Sequence, residues 1–145
     1  MPFLYEKIDT LREVGVLKEF PQYIPDNLNP NFELRPYQTA AFENFITYFE
    51  NDKLCQKPTQ TLFHMATGSG KTLIMAGLML YLYKHGYRNF LFFVNLSNIV
   101  QKTKENFLNS VSSKYLFADE ITIDGEKIKI KEVSNFQYSD DTAIN

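Results

Sequence analysis

The chain has 145 residues, a formal net charge of −2, 44% hydrophobic and 22% charged residues, enough for one domain with its own core and a balance that excludes disordered and fibrous classes. So small a net charge supplies no broad basic field for a nucleic-acid backbone, and any such contact must be local. Its single cysteine, Cys55, excludes an internal disulfide or a thiolate metal site.

Residues 6–20 set Ile8, Leu11, Val14 and Leu17 at helical spacing, which predicts one amphipathic helix with Gly15 as its weak point. Residues 21–31 hold three prolines and three asparagines and read as an extended connector with little regular structure. Arg35-Pro36-Tyr37-Gln38 opens a second helix, with proline in the first turn where its missing N–H costs nothing. That helix runs to about Phe49, with Ala41, Phe42, Phe45, Ile46 and Phe49 as its apolar face. Residues 61–65 form an apolar run that predicts a strand, followed by a glycine-rich turn and a helix from Lys71 to about His85, stopped by Gly86. Leu73, Ile74, Leu78, Leu80 and Leu82 lie all round this helix, which implies burial between layers. The mostly apolar stretch 73–83 is far short of the ~20 residues that cross a bilayer. With no secretory pattern at residues 1–7, the expected location is cytoplasmic, without a membrane span.

Residues 89–94 predict a second strand, buried on both faces, and Ser97 is placed to cap a helix from about Asn98 to Leu108. This β-α-β-α order predicts an α/β fold, a parallel sheet flanked by helices, with a nucleotide at the carboxyl ends of the strands. Ile121-Thr122-Ile123 and Ile128-Lys129-Ile130 alternate around Asp124-Gly125, which predicts a hairpin insertion over about residues 120–131. The polar stretch from Ser139 turns apolar at Ala143-Ile144, in the manner of another strand beginning.

The chemistry concentrates in Ala66-Thr67-Gly68-Ser69-Gly70-Lys71-Thr72. A P-loop is Gly, four residues, Gly-Lys-Ser/Thr, and Met65 stands here in place of the first glycine. Thr67, Gly68, Ser69 and Gly70 form the turn in which successive backbone N–H groups converge on phosphate. Lys71 is set to reach the β- and γ-phosphates of ATP, and the Thr72 hydroxyl to hold Mg²⁺. The bland alternative is a flexible turn followed by a solvated lysine. A cation at a helix N-terminus is unfavourable without an anion nearby, which counts against that alternative.

Met65 to Thr72 resembles motif I of superfamily 2 helicases and translocases, where the first glycine is commonly absent. Leu34-Arg35-Pro36-Tyr37-Gln38 with Ala41 resembles that superfamily's adenine-recognition segment. An amide can both accept from and donate to adenine, which favours ATP over GTP. The resemblance thus implies ATP contacts by Gln38 and, by stacking, Arg35 or Tyr37, each of which could equally pack on a neighbouring helix. Phe93 to Val100, with Thr103, is similar to motif Ia, implying that Asn95, Ser97 and Asn98 meet DNA phosphates. Lys102 and Lys104 read as a solvated face. The hairpin and Val133-Ser134-Asn135-Phe136 are most similar to the restriction (Res) subunit of type III restriction-modification enzymes.

This resemblance implies an amino-terminal helix and connector over 1–33, then an incomplete first RecA-like motor domain over 34–145. It also implies duplex DNA and a modification (methyltransferase) subunit as partners, with the nuclease elsewhere. The expected function is ATP binding by the amino-terminal fragment of a type III DNA translocase. A type I restriction motor subunit, another superfamily 2 helicase, a non-catalytic nucleotide-binding module and a P-loop kinase are the alternatives. Asp119-Glu120, after Tyr115-Leu116-Phe117-Ala118, imitates the Mg²⁺-holding acidic pair. It runs straight into the hairpin and lacks a following histidine, so we read it, like Asp140-Asp141, as loop carboxylates. His64 is expected to be packed. On this reading hydrolysis needs further chain, and the fragment alone is inactive.

Overall fold

A computed structural model describes residues 2–134 and 143–145; Asn135, Phe136, Asp140 and Asp141 lie outside them. The chain divides into two compact units, one of Met1–Pro21 with Leu34–Ile74 and one of Gln22–Glu33 with Met75–Asn145.

In the first unit, helix α1 (Leu4–Glu13) is closed by Gly15 at φ 71°. The Gly15 and Val16 N–H groups donate back to the Arg12 and Leu11 carbonyls, a Schellman closure that an L-residue with a Cβ resists. The helix therefore stops short of the predicted residue 20, because Gly15 caps it. Ile8 is buried, and Arg12 donates to the Asn44 side chain at 2.6 Å. Helix α3 (Pro36–Phe49) carries the unit's core in Phe42, Phe45, Ile46 and Tyr48. Phe20 stacks on Phe42 with centroids 4.8 Å apart, and buried Thr47 accepts the Lys18 N–H at 2.9 Å.

The second unit corrects the connector. Residues Tyr23–Asp26 form a helical turn, α2, with Ile24 fully buried, and the buried Asn27 amide reaches the hairpin. Its Nδ2 donates to the Tyr23 and Thr122 carbonyls at 2.8 and 2.9 Å, and its Oδ1 accepts the Thr122 N–H at 2.7 Å. Leu28 pairs antiparallel with Phe117, and Asn29 Nδ2 donates to the Tyr115 carbonyl at 2.6 Å. Helix α4 (Lys71–Lys84) buries Ala76, Met79, Leu80, Tyr81 and Tyr83 here. Gly86 at φ 94° ends it, with Tyr87 N–H donating to the Leu82 carbonyl. Helix α5 (Ser97–Leu108) buries Phe107 against Phe92 and Phe117.

Strands β1 (Ile121–Ile123) and β2 (Glu126–Ile128) pair antiparallel in the register Ile121↔Ile128. Asp124 and Gly125 both take positive φ, 54° and 83°, as a tight hairpin turn with the right twist demands.

The predicted parallel sheet is not formed among the described residues, where β1 and β2 are the only sheet. A strand exists only through a hydrogen-bonded neighbour, and among the described residues, 61–65 and 89–94 have no continuous one. Leu62 is 91% and Phe93 88% exposed, against the expectation of burial on both faces. What forms instead are single parallel contacts at residues 143–145. Ile144 bridges Ile130, and the Asn145 backbone donates to Arg88 and accepts from Phe90 at 2.7 and 2.8 Å.

Two of the three Asn27 bonds join the backbone of Thr122 and the third that of Tyr23. Asn27→Ala is expected to lower the unfolding free energy by about 2–3 kcal/mol, at roughly 1 kcal/mol per bond, in urea titration of the whole chain. A loss within about 0.5 kcal/mol, the range of ordinary surface substitutions, would show that the amide does not hold the hairpin.

Candidate nucleotide site

The glycine-rich loop lies wholly within the first unit. Gly68 and Gly70 adopt φ 78° and 80°, a region L-residues rarely occupy. The Ser69 N–H donates to Ala66 O at 3.2 Å, tightening the turn, and Gly70 O accepts the Leu73 and Ile74 N–H groups at 3.0 and 3.2 Å, starting α4. Lys71 and Thr72 thus occupy the first turn of a helix whose leading N–H groups and dipole favour an anion. Lys71 Nζ folds back over the loop and donates to the Met65 and Ala66 carbonyls at 3.0 and 2.8 Å. Thr67 and Gly68 are exposed and Thr72 is half-buried.

Helix α3 brings its first turn to the same loop. Gln38, only 4% exposed, accepts the Arg35 N–H on Oε1 and donates from Nε2 to the Ser69 carbonyl, both at 2.9 Å. The Tyr37 hydroxyl donates to that same carbonyl at 3.0 Å and lies 3.3 Å from Arg35 Nη1, which donates to it. The structure therefore brings Arg35, Tyr37, Gln38 and Ser69 together, but as backbone and side-chain bonds within the protein. The Tyr37 hydroxyl contact escaped sequence reading, because a tyrosine before the recognition glutamine looks like a ring for stacking. A cavity of about 1120 Å³ opens beside them, lined among others by Arg35, Tyr37, Phe45, Thr67, Gly68 and Ser69, and is roomy enough for a nucleotide.

Two observations test whether these residues fit a phosphate ligand. A Cβ on Gly70 would run into the Gln38 amide nitrogen, so the loop's close approach to α3 requires glycine. The Ser69 hydroxyl is buried without a hydrogen-bond partner, a costly state for a polar group that a ligand oxygen in the loop would relieve. The residues present fit the group.

Elsewhere, Asn95, Ser97 and Asn98 are exposed around the start of α5. Ser97 is that helix's first residue and Leu96 its N-cap, with no side-chain cap bond, so the capping role expected for Ser97 is not taken up. The chain is still extended at Leu96 (φ −134°, ψ 136°), one residue earlier than the serine. Asp119 and Glu120 are exposed, and Glu120 pairs with Lys127 at 2.8 Å. Burial first, and the Asp119 carboxylate second, raise the Tyr115 hydroxyl's pKa above 10.0. His64 is exposed rather than packed, and among the described residues no strand pairs with the segment around it.

The family described as "Type III restriction enzyme, res subunit" matches residues 31–143, which contain both the loop and the Gln38 turn. The chain belongs to this Res subunit family. The Haemophilus influenzae protein named "Probable type III restriction-modification enzyme HindVIP Res subunit" is 42% identical over 94% of the chain, which spans 28% of that relative's length. No solved structure matches. Membership in the Res family carries a P-loop, RecA-like fold, of which the described residues form the loop and its helix but not the parallel sheet. Among the described residues, no helix is long and apolar enough to cross a membrane.

The contact between Gly70 and Gln38 gives this Res-family loop a measurable signature. Gly70→Ala is expected to cost about 1–2 kcal/mol of stability from its positive φ alone, and more from the clash. In a double-mutant cycle with Gln38→Ala, urea unfolding of the four proteins should show about 1 kcal/mol of that cost relieved. Strict additivity would mean that the two side chains do not meet.

Proposed function

We propose that this chain is the ATP-binding, amino-terminal part of an ATP-dependent DNA translocase of the type III restriction class. The single observation that carries the reading is the Gln38 to Ser69 hydrogen bond at 2.9 Å, which joins the adenine-recognition segment to the phosphate loop. Family membership and the Haemophilus relative's name support the restriction assignment.

On this reading the loop N–H groups from Gly68 to Lys71 receive the phosphates, and Lys71 leaves the Met65 and Ala66 carbonyls to neutralise their charge. The Thr72 hydroxyl is the chain's ligand for Mg²⁺, which when bound offsets charge on the phosphate oxygens. Gln38 retains one N–H and one lone pair beyond its two backbone bonds, and these discriminate adenine from guanine. Arg35 and Tyr37 flank the base side of the cavity. Asn95, Ser97 and Asn98 hold duplex DNA by its phosphates, which fix position without reading sequence. A modification subunit and a cytoplasmic setting complete the proposal. Glu120 is engaged with Lys127 and Asp119 sits before a hairpin rather than after a strand. We therefore assign to this chain nucleotide binding without turnover, hydrolysis belonging to the whole enzyme.

Titration calorimetry of the chain with Mg-ATP tests the site. Lys71→Ala is expected to weaken binding by roughly 10- to 100-fold, the worth of a charge-assisted bond, and unchanged affinity would refute the assignment. Gln38→Ala should shrink the preference for ATP over GTP by about fivefold. A preference that persists in full would remove the amide from base recognition.

A further inference from the structure

The Ser69 carbonyl receives two side-chain donors from one turn of α3, the Tyr37 hydroxyl at 3.0 Å and the Gln38 amide at 2.9 Å. A carbonyl oxygen has two lone pairs, so its capacity is filled and its direction is over-determined. The Ser69–Gly70 peptide is trans, and in a planar trans peptide the N–H points opposite to the C=O. Holding the Ser69 oxygen toward α3 therefore aims the Gly70 N–H away from α3. Gly70 sits at φ 80° without a Cβ to restrict it, so this peptide plane has little intrinsic resistance to rotation. A rotated plane would present a carbonyl dipole where an N–H had been, repelling an anion. Arg35 Nη1, at 3.3 Å from the Tyr37 oxygen, polarises the phenol toward donation.

We propose that Tyr37 is a positioning residue for phosphate, acting through its hydroxyl on the Ser69 carbonyl so that the Gly70 N–H stays directed at a bound phosphate chain. The role expected of its ring, stacking on the base, is a different one. The proposal rests on the phosphate-site reading given above, and the two separate experimentally. Tyr37→Phe keeps the ring and removes only the hydroxyl, while its ring face remains available to a base.

The test is calorimetry of the 145-residue chain with three probes, Mg-ATP, inorganic tripolyphosphate and adenosine, accompanied by the amide spectrum of ¹⁵N-labelled protein. Tyr37→Phe is expected to weaken Mg-ATP and tripolyphosphate by the same factor, about fivefold for one hydrogen bond. Adenosine affinity should stay unchanged, the melting temperature should fall by no more than the loss of one exposed hydrogen bond, and the shift of the Gly70 amide on adding tripolyphosphate should shrink. A merely structural hydroxyl would leave no split between phosphate and base, overturning the proposal. Wild-type affinity for tripolyphosphate in Tyr37→Phe, with Tyr37→Ala losing Mg-ATP and adenosine alone, would assign the ring to stacking and overturn it too. If Lys71→Ala abolishes tripolyphosphate binding while Tyr37→Phe is silent, the phosphate site stands and only the positioning role falls. If Lys71→Ala leaves tripolyphosphate binding intact, the site reading fails and takes this proposal with it.

Discussion

The buried amide of Gln38 links two pieces of backbone that would otherwise be independent. On one side it closes the N-terminus of α3 by accepting the Arg35 N–H, and on the other it holds the Ser69 carbonyl. The approach of the loop to α3 follows from this contact. It draws the loop so close to α3 that Gly70 has no room for a Cβ, and it orients the peptide preceding α4. Because a buried amide left unpaired costs more than its bonds return, the arrangement is held from both ends.

Glycine carries two different meanings here. Gly15 and Gly86 each turn a helix off by taking a left-handed conformation and returning two N–H groups to the last turn. Gly68 and Gly70 use the same freedom to expose N–H groups. Only the neighbouring residues separate these uses. The Lys71-Thr72 pair after Gly70 marks a phosphate loop, whereas Gly15, within an apolar periodicity that continues beyond it, reads as a tolerated defect. That is why Gly86 was legible as a stop and Gly15 was not.

Much of the candidate site could be read from residues 34–72 because its chemistry is local: a strand-like run, glycines, a lysine and a helix in immediate succession. The hairpin turn was legible for the same reason, Asp124-Gly125 being chemistry of two adjacent residues. Features made by distant partners were not. Residues 21–31 look like a linker in composition, and nothing local reveals that the Asn27 amide bonds Thr122. The Tyr37 hydroxyl meeting a carbonyl 32 residues away is equally invisible. The parallel sheet is not formed among the described residues, for the converse reason. Apolar runs at 61–65 and 89–94 declare what those segments can do, but a ladder also needs neighbours.

The position of Lys71 bears on the thermodynamics of the loop. Its ammonium rests on the carbonyl oxygens of residues 65 and 66, so the exposed side chain already has acceptors before any anion arrives. Recruiting it then becomes an exchange of one oxygen set for another, with little rotamer freedom left to surrender. Such preorganisation trades enthalpy for entropy. Affinity at this loop is therefore governed by how much better a phosphate oxygen is than a peptide carbonyl as an acceptor.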